Sequence, residues 1–373
     1  MVGAAAIASF VAFGVLFSFG VFVEEIGDEF DVGKGPVAAL FSVAAGLYYL
    51  SGGVAGRLGD RYGPRPVLLG GSIVLVAGLW ATAVAPSLLA MYLGFGLLVG
   101  PGVACCYAPM VAAAGGWFDE KRTLAMGTAT AGVGIGTLVM APVGSLLVSG
   151  LGWRGAMGAY AVGSAVLLSV AIAGAYRPPP ASGGESTSLR PMLQSHTFLV
   201  MFSASTLLSF AFYTPFVFLP TYAEEVGIDA SVASVLVGLI GAMSVASRIL
   251  FGLLGGHVSP TALYKLSYVL VGVSYLFWLG AGSSLGMLLG HVVVMGVGYG
   301  GFVAIGPAVL ADSFGVSRLG GLIGALYTSW AIGGFFGPSS NGFLIDRYGF
   351  WAALLMSLGA MILAIAMVLR LRP

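Results

Sequence analysis

The chain is 373 residues long, 58% hydrophobic and 8% charged, with a formal net charge of +1. A soluble domain carries about 25% charged residues, so this composition excludes a water-soluble fold, and the lack of a basic stripe excludes nucleic acid as a partner. The bilayer is the solvent, and an apolar run of about 20 residues suffices to cross it as a helix.

Twelve such runs follow one another, and the loops between them are too short to hold a soluble catalytic domain. The first, 2–23, has neither a basic leader nor an A-x-A cleavage pattern and reads as a spanning helix. Beyond it lie Glu24, Glu25, Asp28, Glu29 and Asp31, expected as a solvated acidic rim. The second, 36–56, leads into GRLGDRYGPRPVLL at residues 56–69, where the third, 66–85, begins. In that loop Gly56 permits close helix contact, Asp60 can cap a helix and pair across an interface, and Arg61 and Arg65 suit anionic headgroups. Gly56, Asp60, Arg61, Gly63 and Arg65 therefore read as a conformational latch and topology signal without substrate contact.

The fourth run, 87–110, carries Tyr107 and the adjacent Cys105 and Cys106, which cannot bridge without strain and lack metal-ligand spacing. They read as small packing residues, and nothing in the chain calls for a metal or cofactor. The fifth, 123–149, holds Gly132, Gly134, Gly136, Pro142 and Gly144, and the sixth is 153–176. Three consecutive prolines and a Ser/Gly-rich stretch then mark a linker. The expected organisation is a six-helix half at 1–176, a linker at 177–195 and a second half at 196–373.

The seventh run, 197–222, precedes Glu224, Glu225 and Asp229. The eighth, 232–256, contains one charge, Arg248. A guanidinium cannot shed its proton, so its place in an apolar helix demands an anion or a polar cavity, with structural pairing to a helix carbonyl or a loop acid as the alternative. The ninth, 262–282, is followed by 284–310, with His291 near its outer end and read as structural, and with Tyr299 deeper in. Tyr327 and Trp330 lie in the eleventh, 318–345, and 350–370 is the last.

With both termini cytoplasmic, 11 of the 15 Lys and Arg fall on inside loops and tails, 3 fall outside, and Arg248 is the remaining one. The positive-inside rule thus orients the chain with both ends in the cytoplasm of a plasma (inner) membrane. A shift of 196 residues aligns Phe22 with Phe218, Pro64 with Pro260, Gly100 with Gly296, Arg122 with Arg318 and Pro142 with Pro338. This points to a duplication of six helices into twelve. A second echo, G-x-L-x-D-R-Y-G at 56–63 and again at 342–349, links loops on opposite faces, as inverted repeats inside each half require. Arg248 aligns with Gly52, so its charge belongs to one half only.

The loop at 56–69 resembles the signature loop of the major facilitator superfamily. GGWFDEKRTLAMGTATAGVGIGTLVMAPVG at 115–144 and GALYTSWAIGGFFGPSSNGFLIDRYG at 324–349 resemble its monocarboxylate transporter and oxalate/formate antiporter branch. The resemblance implies an all-α membrane protein with two six-helix halves related by a pseudo-twofold axis, and a transporter rather than an enzyme. It implies that Arg248, within SVASRILFG, binds a substrate carboxylate, with Tyr107 on the fourth helix matching the family's tyrosine. Tyr299, Tyr327 and Trp330 are further candidates for the cavity wall.

The sequence also departs from the branch. Phe17 stands where proton-coupled members carry a lysine, Ser244 where they carry an aspartate, and Ser329 and Trp330 where oxalate exchangers carry a lysine. One buried cation balances one carboxylate, so the expected substrate is a small monocarboxylate such as a lactate- or pyruvate-like anion. The driving ion is either a proton carried with the substrate or a second anion moving in exchange. The chain is expected to work as a monomer in the lipid bilayer. The alternatives are efflux of amphipathic drugs, suggested by the glycine pattern of the fifth helix, and organic-anion exchange.

Overall fold

Hydrocarbon offers backbone N–H and C=O groups no partner, so a chain this apolar must satisfy them within helices. The computed structural model describes residues 1–117, 122–177, 190–255, 257–314 and 319–371, with backbone alone at 122–124, 190 and 319–320, and contains no strand among them. Lys121, residues 178–189, Gly256, Arg318 and Arg372 fall outside the described residues.

The first helices are α1 (Val2–Phe30), α2 (Lys34–Tyr62), α3 (Pro64–Ala83) and α4 (Leu88–Gly116). The run Arg122–Ala173 turns at Gly152, whose φ of 68° is left-handed, and so forms two helices, α5 (122–151) and α6 (153–173). After them come α7 (His196–Glu225), α8 (Ala230–Leu254), α9 (Pro260–Leu279), α10 (Leu285–Phe314), α11 (Leu319–Tyr348) and α12 (Phe350–Val368). Among the described residues, ten spans are long and apolar enough to cross a membrane by length and composition alone. The turn at Gly152 divides one of these, and α11, of equal length but carrying Asn341, Asp346 and Arg347, supplies the twelfth crossing.

The helices overrun the apolar stretches that announce them, because backbone hydrogen bonding does not stop at the hydrocarbon edge. Thus α2 continues through Arg57, Asp60 and Arg61. A left-handed residue, Asp31 with φ 51°, ends α1. The Asp229 carboxylate starts α8 by accepting from the Ser231 backbone N–H at 2.8 Å and from its hydroxyl. Those two bonds hold that carboxyl below the ordinary carboxylate range. Positions aligned by the shift of 196 play like parts: Pro64 and Pro260 each open a helix, and Pro142 and Pro338 each lie inside one.

α1 and α7 are both interrupted, at Ser18 and at Tyr213, and they meet near these breaks. Phe17 and Phe216 stack there at 4.4 Å, and Gly20 brings α1 against the Phe216 carbonyl, where any side chain would collide. Two further seams join the first six helices to the last six, α2 with α11 and α5 with α8. Small residues make both possible, since without a hydrophobic driving force membrane helices associate by close packing. Gly46 lies beneath the Phe335 ring, and a Cβ on Gly134 would lie 2.7 Å from the Gly241 carbonyl.

The two ends of the bundle differ. At the face holding the termini, Met1 meets Tyr176, and Arg370 and Leu371 lie beside His196 and Ser259. At the opposite face α2 and α11 are sealed together. Asp346 accepts from the Lys34 and Gly35 backbone N–H groups at 2.7 and 2.8 Å, and Lys34 Nζ pairs with Glu225 at 2.7 Å. The acidic rim is therefore partly bonded, since Glu29 also holds Arg154 at 2.6 Å and accepts from the Trp153 indole. Toward the termini face α2 separates: Gly52, Gly53 and Gly56 have open space where a side chain would be.

Candidate functional site

Between the seams lies a cavity of about 820 Å³ including its open mouth, bounded by α1, α2, α4, α5 and α7 to α11. Its lining includes Gly306, Pro307, Leu310 and Ile323 from the ends of α10 and α11 near the termini face, so it extends toward that face. On the other side Phe13 and Phe17 form its ceiling, backed by the stacked Phe216.

Arg248 reaches this cavity because α8 is clamped onto α10. The Ser247 hydroxyl donates to the Val297 carbonyl at 2.5 Å, and Gly300 lies directly against the Ser244 carbonyl. Half-buried as a result, Arg248 donates from Nη1 to the Thr130 carbonyl at 3.3 Å, with Cζ 5.6 Å from the centre of the Tyr299 ring. Its Nε is buried with no hydrogen-bond partner. No carboxylate pairs with it among the described residues, whose ion pairs are Lys34–Glu225 and Arg154–Glu29. A neutral carbonyl and a ring face leave most of the fork of donors unspent, and a fork of that geometry matches a carboxylate.

All five residues singled out in the sequence for this purpose, Arg248, Tyr107, Tyr299, Tyr327 and Trp330, line the same cavity. Tyr107 packs edge-on to Phe13 at 4.8 Å, and Trp330 stacks on Phe302 at 5.3 Å. Tyr327 is 44% exposed, toward the open side. The sequence did not single out Tyr48, Tyr49, Phe212, Phe302, Ser205 and Tyr264, which share the lining. Ser205 and Tyr264 belong to a hydroxyl cluster with Tyr268, in which Ser205 lies 3.1 Å from the Tyr268 oxygen and the two tyrosine oxygens are 3.0 Å apart. Only the juxtaposed tyrosines Tyr48 and Tyr49 were a signal available from sequence.

The latch residues stand apart from the cavity, at the junction of α2 and α3. Gly63 has φ 92° and ψ 161°, a backbone that L side chains rarely adopt, and Gly349 in the second motif copy has φ 81° and ψ 173°. Arg61 lies over Tyr62, and Arg65 is exposed. Two details differ from expectation. A Cβ on Gly56 would meet nothing within 4 Å, and it is Gly59 that is closely packed, since a Cβ there would lie 2.8 Å from Pro109. The Asp60 side chain makes no ion pair or hydrogen bond with the described residues, although its backbone carbonyl accepts from Arg177 at 3.0 Å. Both follow from α2 having separated from its partner helix at this end.

The α5 glycines that carry the pattern, Gly132, Gly134, Gly136 and Gly144, are occupied by packing. Gly132 lies against the Ala6 carbonyl, Gly136 against that of Phe10, and Gly144 against the Tyr160 hydroxyl. Cys105 and Cys106 are unbridged; the first closes on Gly71 and the second is buried near Ser72. His291 is buried, with Nδ1 2.9 Å from the Ser274 carbonyl, while His196 and His257 are exposed near helix ends.

A profile of the Major Facilitator Superfamily matches residues 5–277 and, in a second match, 201–373. The chain belongs to that superfamily. Among its relatives, Monocarboxylate transporter 13 of Rattus norvegicus is 31% identical over 364 residues, covering 95% of this chain and 84% of the relative. Monocarboxylate transporter 11 of Homo sapiens is 28% identical over 95% of this chain and 78% of its own length. Monocarboxylate transporter 3 of Rattus norvegicus is also 28% identical, with 93% and 74% covered. Of solved structures, a POT family transporter in complex with 5-aminolevulinic acid superposes with a TM-score of 0.76 over 99% of this chain and 94% of its own, at 14% identity. A likeness at that identity speaks to the fold alone. The relatives are transporters by name, and the chain stands with them as a membrane transporter of this superfamily, not an enzyme.

Proposed function

We propose that the chain is a secondary transporter of small monocarboxylates that works by alternating access, with the substrate carboxylate held by Arg248. The observation that carries this reading is Arg248 itself: a permanent cation facing a cavity, with no acidic partner among the described residues and its Nε unbonded. The names of the relatives support the substrate class. Two six-helix halves, 1–176 and 196–373 joined by the linker at 177–195, would rock about the cavity, and the present form is open toward the termini face. That face is the cytoplasmic one on the loop charges, in a plasma (inner) membrane. Tyr107, Tyr299, Tyr327 and Trp330 would shape the wall around the anion, with Arg248 the sole charge among the described lining residues.

That lining offers no Asp, Glu or His to carry a proton. A moving proton would ride on the acid, and exchange would need none. In proteoliposomes, stimulation of uptake by an inward proton gradient identifies the first, and stimulation by internal anion without a gradient identifies the second.

The deciding experiment is uptake of a radiolabelled short monocarboxylate by the purified, reconstituted protein. Arg248→Ala is expected to abolish it. Arg248→Lys, which keeps the charge but loses the planar fork, is expected to retain about a tenth or less. Undiminished uptake by a folded Arg248→Ala protein overturns the reading. Drug efflux has less support, since the glycines that suggest it are engaged in helix packing.

A further inference from the structure

The composition of the cavity wall asks for more than a short acid. Of its twenty described lining residues eleven are Phe, Tyr or Trp, whereas aromatic residues make up 12% of the sequence. The rings are also ordered. Tyr49 of α2, Trp330 of α11 and Phe302 of α10 form a row, with centroids 5.9 and 5.3 Å apart and planes tilted by 34° and 30°. Phe212 meets Trp330 and Tyr299 edge-on at 5.3 and 4.8 Å. This row crosses from the first six helices to the last six, and the single cation lies beside it, over Tyr299.

A short hydroxy- or keto-acid would satisfy the guanidinium but leave the aromatic part of the lining without a partner. Water against aromatic faces is unfavourable, and rings gain from stacked or edge-on neighbours beyond the area they bury. A pocket with one charge and a wall of rings is complementary to a ligand with one carboxylate and one ring.

We infer that the cavity selects an aromatic monocarboxylate, its carboxylate on Arg248 and its ring against the Tyr49–Trp330–Phe302 row. This rests on the reading that Arg248 takes a carboxylate, and it adds what the rest of the ligand is. The row also gives the ligand a part in the conformational cycle. A ring seated on Trp330 and Tyr49 touches both sets of six helices at once, so its binding energy is available to draw them together.

The test uses the full chain in proteoliposomes and four probes: pyruvate, phenylpyruvate, the cyclohexyl analogue of phenylpyruvate, and the neutral amide of phenylpyruvate. Counterflow and displacement are read for each. Phenylpyruvate is expected to enter by counterflow and to act at a concentration about tenfold below pyruvate, one added aromatic pair being worth about that factor. The cyclohexyl acid should fall between them, and the amide should fail. Trp330→Leu is expected to draw the phenylpyruvate-to-pyruvate ratio toward one, and the wild-type series stands as the test if that variant does not fold. Equal potency of pyruvate and phenylpyruvate, or of the phenyl and cyclohexyl acids, overturns the aromatic inference while leaving the carboxylate reading intact. Equal potency of amide and acid, or binding that survives Arg248→Ala, overturns the carboxylate reading instead.

Discussion

Arg248 is held where it is at a cost. A half-buried guanidinium whose neighbours are one carbonyl at 3.3 Å and the Tyr299 ring has exchanged good hydration for weak replacements. Breaking a true buried ion pair costs roughly 3–5 kcal/mol, whereas replacing poorly compensated buried charge with an apolar side chain is often neutral or stabilising. The two roles open to Arg248 thus predict opposite signs. If its work is to meet a ligand, Arg248→Met raises the melting temperature of the ligand-free protein by a few degrees and removes the stabilisation given by a bound carboxylate. If instead the Thr130 tie holds α5 to α8, the same substitution lowers the melting temperature. The first outcome is expected, because a single neutral hydrogen bond is worth only about 1 kcal/mol net. Arg248 was legible in the sequence because it is the one charge in its run. Phe212 and Phe302 were not, since a spanning helix is apolar on every side and its pattern does not tell which face meets a cavity.

Between elements the decisive contacts join residues far apart in sequence, and helical periodicity does not encode them. The repeat at 56–63 and 342–349 was visible as letters, and its final glycines do share one backbone conformation, with φ of 92° and 81°. Gly63→Ala should therefore cost about 1–3 kcal/mol in stability, read as a lower melting temperature, a side chain being strained there whatever the space around it. What the letters did not reveal is that Asp346 caps α2 from 312 residues away. That carboxylate acts as an N-cap supplied by another helix, worth about 1 kcal/mol. The neighbouring Lys34–Glu225 pair has one partner 42% exposed, so it contributes less than about 1 kcal/mol and is screened by salt. Asp346→Ala should accordingly loosen the opposite face more than Glu225→Ala. Thiol labelling of a cysteine introduced at Val37, buried in the sealed form, would rank the two.

Over the whole molecule, the two motif copies stand at opposite ends and in opposite states. Asp346 is engaged where the bundle is sealed, while the Asp60 side chain has no partner among the described residues and lies where α2 stands apart, with open space beside Gly56. Under the alternating access proposed for the chain, an inverted relation between them would make closing one end free the other. In the alternate form Asp60 would cap the start of α11, as Asp346 now caps the start of α2. The equilibrium between two such forms would then be balanced by two like contributions of about 1 kcal/mol, each a factor of roughly five in population. Removing one tips the balance away from the form it caps. Asp346→Ala should favour the form open at the opposite face, Asp60→Ala should hold the chain open at the termini face, and the double variant should return toward the wild-type ratio. Spin-label pairs at each end, in a background with Cys105 and Cys106 replaced by serine, would read both populations. A shift in the same direction for both single variants would show that the two aspartates do not oppose each other. Because the cavity lies between the two ends, each variant should also slow transport by trapping one form while leaving binding at Arg248 accessible from the open side.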